Sequence, residues 1–125
     1  VGTLDRIDAV SSTCAPTALV IDYKTENDTV TRKRISAGAE DTQLAFYAAL
    51  LSHDTLRAAY VNVGERGETQ MHEQEDVVHL RDLLVEGIQH DMARIAAGAP
   101  LPALGEGAVC DYCAARGLCR KDFWK

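Results

Sequence analysis

The segment Thr17–Lys24 (TALVIDYK) constrains this chain more than any other. It opens as a short, apolar, β-branched run of the kind that forms a largely buried strand. It closes on an aspartate and a lysine. Residues two apart on a strand share a face, so Asp22 and Lys24 point one way and Ile21 and Tyr23 the other. A carboxylate on a strand otherwise built for burial is costly unless something compensates it. Two compensations are open from the residues alone. One is an Asp–Lys ion pair buried in a hairpin. The other is a divalent cation: Mg²⁺ is commonly held by one or two protein carboxylates, with water and substrate phosphate completing its shell. A lysine beside such an ion can hold the attacking water and stabilise phosphorane charge.

The rest of the chain reads as an α/β layer structure around that strand. Gly2–Val10 is strand-like and Ser11–Thr17 is rich in turn formers, so the two apolar segments predict an antiparallel hairpin. Thr29–Ile35 (TVTRKRI) predicts a third, more exposed strand. Glu40–Ser52 predicts a helix, because Leu44, Tyr47, Ala48 and Leu51 form one apolar stripe. Arg57–Val63 and Glu68–His72 predict strands on either side of the turn GERG. Val77, Leu80, Leu84, Ile88, Met92 and Ile95 recur at helical spacing within Glu73–Ala97, and Gly98 and Pro100 stop that helix. The order β-β-β-α-β-β-α needs a layered α/β arrangement.

Composition excludes several classes. The 125 residues carry 13 Lys+Arg against 19 Asp+Glu, a net charge of −6, and 46% are hydrophobic. That is ordinary for one globular domain and unlike collagen or low-complexity disorder. No apolar run approaches the ~20 residues of a membrane helix, and no basic-then-apolar leader opens the chain. No membrane association is expected. The acidic balance gives no whole-molecule attraction for nucleic acid, although a local basic patch can still supply it. Four cysteines are too few for a disulfide scaffold. Three of them, Cys110, Cys113 and Cys119, fall within one short segment. That pattern points to metal binding in a reducing, cytoplasmic compartment.

Taken in order, GTLDRID, VIDYKT, QLAFYAALL and C-x2-C-x5-C closely resemble the RecB-like nucleases of the PD-(D/E)xK superfamily, in particular the AddB-type, helicase-associated exonucleases. The resemblance runs from Gly2 to Cys119. It implies a restriction-endonuclease-like core, a mixed β-sheet flanked by helices. It makes Asp5 and Asp22 the ligands of Mg²⁺ or Mn²⁺ and Lys24 the catalytic lysine. Gln43 and Tyr47 match the family's Q-x3-Y helix, which flanks the active site and the DNA; at i and i+4 they share a helix face. Asp8 is three residues from Asp5, which sends it to the other face and toward Arg6.

The resemblance also implies a [4Fe–4S] cluster on Cys110, Cys113 and Cys119. Its fourth cysteine lies upstream in the family, as does a helix that donates His or Glu to the metal site. The chain therefore reads as the C-terminal part of a nuclease domain, with the cluster incomplete or absent in these residues. Cys14 sits in a turn where the family has no ligand, and His72 or His90 could complete a zinc site instead. His53 and His79 carry no specific expectation. Residues 1–100 form the expected nuclease core and 101–125 the cysteine segment. Arg116, Arg120 and Lys121, near Phe123 and Trp124, could grip DNA phosphate and stack a base, or form a solvated tail. The implied function is metal-dependent DNA hydrolysis with loss of the O3′ leaving group. It would operate in a helicase–nuclease of double-strand-break repair and recombination, beside a partner subunit. Two alternatives remain open: an inactive DNA-binding module of the same fold, and a zinc-binding interaction domain.

Overall fold

The computed structural model describes residues 3–11, 16–38, 41–51, 55–64, 68–100 and 110–119. They belong to two compact units, Val1–Gln89 and His90–Lys125.

The first unit is built on a four-stranded sheet. Its strands are β1 (Arg6–Ser11), β2 (Pro16–Lys24), β3 (Arg57–Val63) and β4 (Thr69–Glu73), in the order β1-β2-β3-β4. β1 pairs antiparallel with β2, β2 parallel with β3, and β3 antiparallel with β4, so the sheet is mixed. A parallel pair cannot be joined by a hairpin and needs a crossover. Residues 25–56 supply it, with helices α1 (Asp28–Ser36) and α2 (Gln43–Ala49). Helix α3 (Val77–Ala96) follows β4. The result is an α/β fold consistent with the restriction-endonuclease-like core.

The expected third strand at Thr29–Ile35 is therefore wrong: the segment is α1. Its β-branched residues suggested a strand, but its ends are those of a helix. Asn27 caps it by accepting the Thr29 amide, Asp28 sits in the first turn, and Lys33 and Arg34 occupy the last. The helix predicted over Glu40–Ser52 is shorter than expected, Gln43–Ala49, and the strand predicted over Glu68–His72 is displaced by one residue to Thr69–Glu73.

Alternation along the strands divides the sheet into two faces. On one, Val20, Ala58 and Tyr60 pack with Leu44 and Ala48 of α2, Leu56 and Val77. On the other, Leu19, Ile21, Ala59 and Val61 form a second buried cluster. β3 is thus buried on both sides, which is why RAAYVNV reads as a continuous rather than an alternating run. Asp22 and Lys24 continue the Val20 face beyond the core, toward the carboxyl ends of the two parallel strands. In α/β sheets that edge is where ligands bind.

In the second unit, α3 ends as the sequence predicts. Gly98 adopts φ +84° and donates to Ile95 O at 2.9 Å, while Ala99 donates to Arg94 O at 2.9 Å. These are the two bonds of a Schellman cap, and the positive φ suits glycine. A single helical turn, α4 (Arg116–Cys119), follows a bend in which Cys113 N donates to Cys110 O at 3.4 Å. No helix among the described residues is long and apolar enough to cross a membrane.

Candidate active site

Asp22 is 3% exposed. Two side chains meet it directly, Lys24 and Gln43, and a third, Tyr47, joins through Gln43. The Lys24 Nζ lies 2.6 Å from Asp22 Oδ2. Gln43 Nε2 donates to Asp22 Oδ1 at 2.8 Å, and Lys24 Nζ donates to Gln43 Oε1 at 2.7 Å. Gln43 Nε2 also donates to the Tyr47 hydroxyl at 3.0 Å, one helical turn along α2. The chemistry of the partners fixes the sense of the Gln43 amide. Lysine can only donate and an ionised carboxylate can only accept, so the carboxamide oxygen faces Lys24 and the nitrogen faces Asp22.

The Asp22 carboxylate is only half satisfied. Oδ1 is bonded, but Oδ2 is buried without a properly directed hydrogen bond, despite its short approach to Lys24. The distance is that of an ion pair; the angle is not that of a hydrogen bond. A buried, directionally unpartnered carboxylate oxygen suits a hard cation, which needs proximity to oxygen rather than a donor.

Asp5 stands next to this network. The β1–β2 register pairs Arg6 with Ile21, and its continuation by one residue sets Asp5 across from Asp22 on the same face. Asp5 Oδ2 accepts the amide of Tyr23 at 3.1 Å, the backbone link between Asp22 and Lys24. Asp8, on the other face, pairs with Arg6 at 2.7 Å, as the alternation of the strand predicts. Among the described residues no three His, Cys, Asp or Glu side chains gather as a metal cage. Two carboxylates are the protein's usual share of a Mg²⁺ shell, and Asp5 and Asp22 are the two that this face offers.

A second layer was not anticipated from the sequence. Tyr60 is 1% exposed, and Lys24 Nζ sits 4.9 Å above its ring centroid. Its hydroxyl donates to Asp41 Oδ1 at 2.8 Å. Arg34 donates to Asp41 Oδ2 at 2.7 Å and forks onto Glu26 at 2.6 and 2.9 Å. Burial, then the bond to Asp41, pushes the Tyr60 phenol well above its usual range, so it stays protonated. Burial alone would raise Asp41, but the bonds from Arg34 and Tyr60 outweigh it and hold the carboxyl below the usual range. The Arg34 fork does the same to Glu26. Asn62, beside Lys24 in the β2–β3 register, donates to Glu26 O at 2.6 Å and to Thr31 Oγ1 at 2.9 Å. The capping pattern around α1 carried the signal for Glu26 and Arg34, since it would have placed both at the ends of a helix beside the site.

The structure brings Asp22, Lys24, Gln43 and Tyr47 into one bonded network and Asp5 alongside. Cys110, Cys113 and Cys119 are free thiols in the second unit. Cys14, His53, Arg120, Lys121, Phe123 and Trp124 lie outside the described residues, as does the side chain of Arg116. His79 and His90 are exposed on α3, and His72 Nε2 pairs with Asp28 at 2.6 Å.

No curated protein and no solved structure matches the chain. The family model for the PD-(D/E)XK nuclease superfamily matches residues 1–120, nearly the whole sequence, and the chain belongs to that superfamily.

Proposed function

We propose that this chain is a DNA nuclease domain of the RecB/AddB type, an Mg²⁺- or Mn²⁺-dependent exonuclease working within a helicase–nuclease of double-strand-break repair. The observation that carries the reading is the Asp22–Lys24–Gln43–Tyr47 network with its half-satisfied buried carboxylate. Asp5 and Asp22 would hold the divalent ion. Such an ion supplies positive charge against the scissile phosphate and lowers the pKa of water. The remaining work falls to the chain's own side chains. Gln43 fixes one Asp22 oxygen, which leaves Oδ2 as the oxygen presented to the ion. It also holds Lys24 on the same side, where the ammonium can donate to charge developing on the phosphate oxygens. The Tyr47 hydroxyl accepts from Gln43, so its own proton is available to a DNA phosphate oxygen.

The exonuclease mode, the helicase–nuclease partner subunit and a cytoplasmic setting rest on the order of the four sequence motifs and on the cysteine usage. Division into a core over 1–100 and a cysteine segment over 101–125 belongs to the same reading, as does DNA contact by Arg116, Arg120 and Lys121. The test is cleavage of labelled linear DNA with and without Mg²⁺ or Mn²⁺. Hydrolysis should require the ion, and Asp22→Ala should lower the rate at least about a hundredfold. Ion-independent hydrolysis, or wild-type rates in Asp22→Ala, would refute the assignment.

For the cysteines we propose three thiolate ligands of a [4Fe–4S] cluster whose fourth ligand comes from elsewhere, since such clusters take four. Anaerobic reconstitution of the 125-residue chain should leave iron and sulfide well below four per chain. A full complement would instead point to Cys14 or a second chain as the fourth ligand.

A further inference from the structure

We propose that Tyr60 and Asp41 are positioning residues for Lys24: the Tyr60 ring is the platform on which the ammonium rests, and Asp41 fixes that ring and also accepts the backbone N–H of Gln43, the residue whose side chain flanks the ammonium. This rests on the reading of Lys24 as the catalytic amine.

Lysine reaches its partners through four rotatable bonds, so its head needs external restraint. Of its three contacts, Asp22 is the one that a divalent ion would claim. The other two remain. One is Gln43 Oε1 at 2.7 Å, and the other is the Tyr60 ring, whose centroid lies 4.9 Å from Nζ. That separation is within cation–π range. The β2–β3 register explains why the ring is there: Tyr60 is the parallel partner of Asp22, one pleat from Lys24 on the same face.

Both remaining contacts trace back to one carboxylate. Asp41 Oδ1 accepts the Tyr60 hydroxyl at 2.8 Å and the backbone N–H of Gln43 at 3.5 Å, the latter at the start of α2 that carries the Gln43 side chain. Asp41 is itself held by Arg34, which Glu26 anchors from the residues just after β2. The bracket therefore runs Glu26–Arg34–Asp41 and returns to Lys24 from two sides. It holds the ammonium in place when Asp22 turns to another charge.

Two measurements test this, and one of them needs no catalysis. In the wild-type chain the Lys24 ε-methylene protons should resonate upfield of ordinary lysine through the ring current of Tyr60. Tyr60→Phe, which keeps the ring but loses its bond to Asp41, should shrink the upfield shift, and Tyr60→Leu should remove it. Asp41→Ala should shrink it by releasing the ring. If Tyr60→Leu does not fold, the wild-type and Asp41→Ala spectra still decide. In cleavage, Tyr60→Leu should lower kcat about tenfold with KM nearly unchanged, yet cost nothing further in a Lys24→Met background. Ordinary ε-proton shifts in the wild type would overturn the proposal. So would an equal penalty from Tyr60→Leu with and without Lys24, which marks a merely structural residue. Failure of the wild-type chain to cleave DNA would count against the nuclease reading instead, while the proton shifts still report whether Lys24 is positioned as described.

Discussion

Lys24→Met should cut DNA cleavage at least about a hundredfold while tightening Mn²⁺ binding about tenfold. The two effects have opposite signs because the ammonium has two consequences. It lies 2.6 Å from Asp22 Oδ2, so it competes with any cation for the buried carboxylate. Removing a unit charge about 5 Å from an incoming divalent ion relieves roughly 2 kcal/mol at bulk-water screening and about 7 kcal/mol at an effective dielectric near 20. Tenfold corresponds to about 1.4 kcal/mol, close to the fully solvent-screened end of that interval, as suits a charge that water also reaches. Methionine keeps much of the length and packing of the stem, so the substitution isolates the charge. Cleavage falls because the same ammonium is the group placed to meet charge on the phosphate. Calorimetric Mn²⁺ titration and a cleavage assay on the same preparation check both. Weaker Mn²⁺ binding in Lys24→Met would show that the lysine supports the carboxylate rather than competing for it. Cleavage within about tenfold of wild type would remove Lys24 from the chemistry.

The central part of this arrangement was legible because it obeys local rules. Asp22 and Lys24 share a face by strand alternation, and Gln43 and Tyr47 share one by helical spacing; each pair was predicted within its own element. β2 and β3 were legible as apolar runs with β-branched or aromatic content. What the sequence hid depends on how elements meet. Tyr60 sits in an apolar strand and reads as core; only the parallel register to Asp22 makes its ring a neighbour of Lys24. Asp41 lies ahead of the apolar stripe of α2 and shows no periodicity. Arg34 was assigned to a strand because Thr29, Val30, Thr31 and Ile35 are β-branched. The helix won through its Asn27 cap, its end charges, and the requirement that parallel β2 and β3 be joined by a crossover. β propensity is weak against such context. Asp5 illustrates an intermediate case. Its face was predictable, but its bond to the Tyr23 amide needs the antiparallel register of β1 and β2.

Gln43 can serve the site only if α2 is seated on the sheet, and Leu44 is the large side chain that seats it. Three α2 residues are buried, Leu44, Ala45 and Ala48, and the two alanines have no bulk to compensate. Leu44 is 2% exposed and belongs to the cluster with Val20, Leu56, Ala58, Tyr60 and Val77. Leu44→Ala removes buried methyl groups and leaves a cavity among largely fixed neighbours, so the cost should be about 3 kcal/mol, or roughly 10 °C in Tm. Leu50, just past α2, is 54% exposed; Leu50→Ala should cost under about 0.5 kcal/mol. A loss of 3 kcal/mol is a large share of the roughly 5–15 kcal/mol available to a domain. Cleavage in Leu44→Ala should therefore fall steeply on warming while Leu50→Ala follows the wild type. Urea and thermal unfolding of the two variants side by side check the claim. If Leu44→Ala costs less than about 1 kcal/mol, α2 is held by something other than this contact, and the position of Gln43 beside Asp22 and Lys24 would need another anchor.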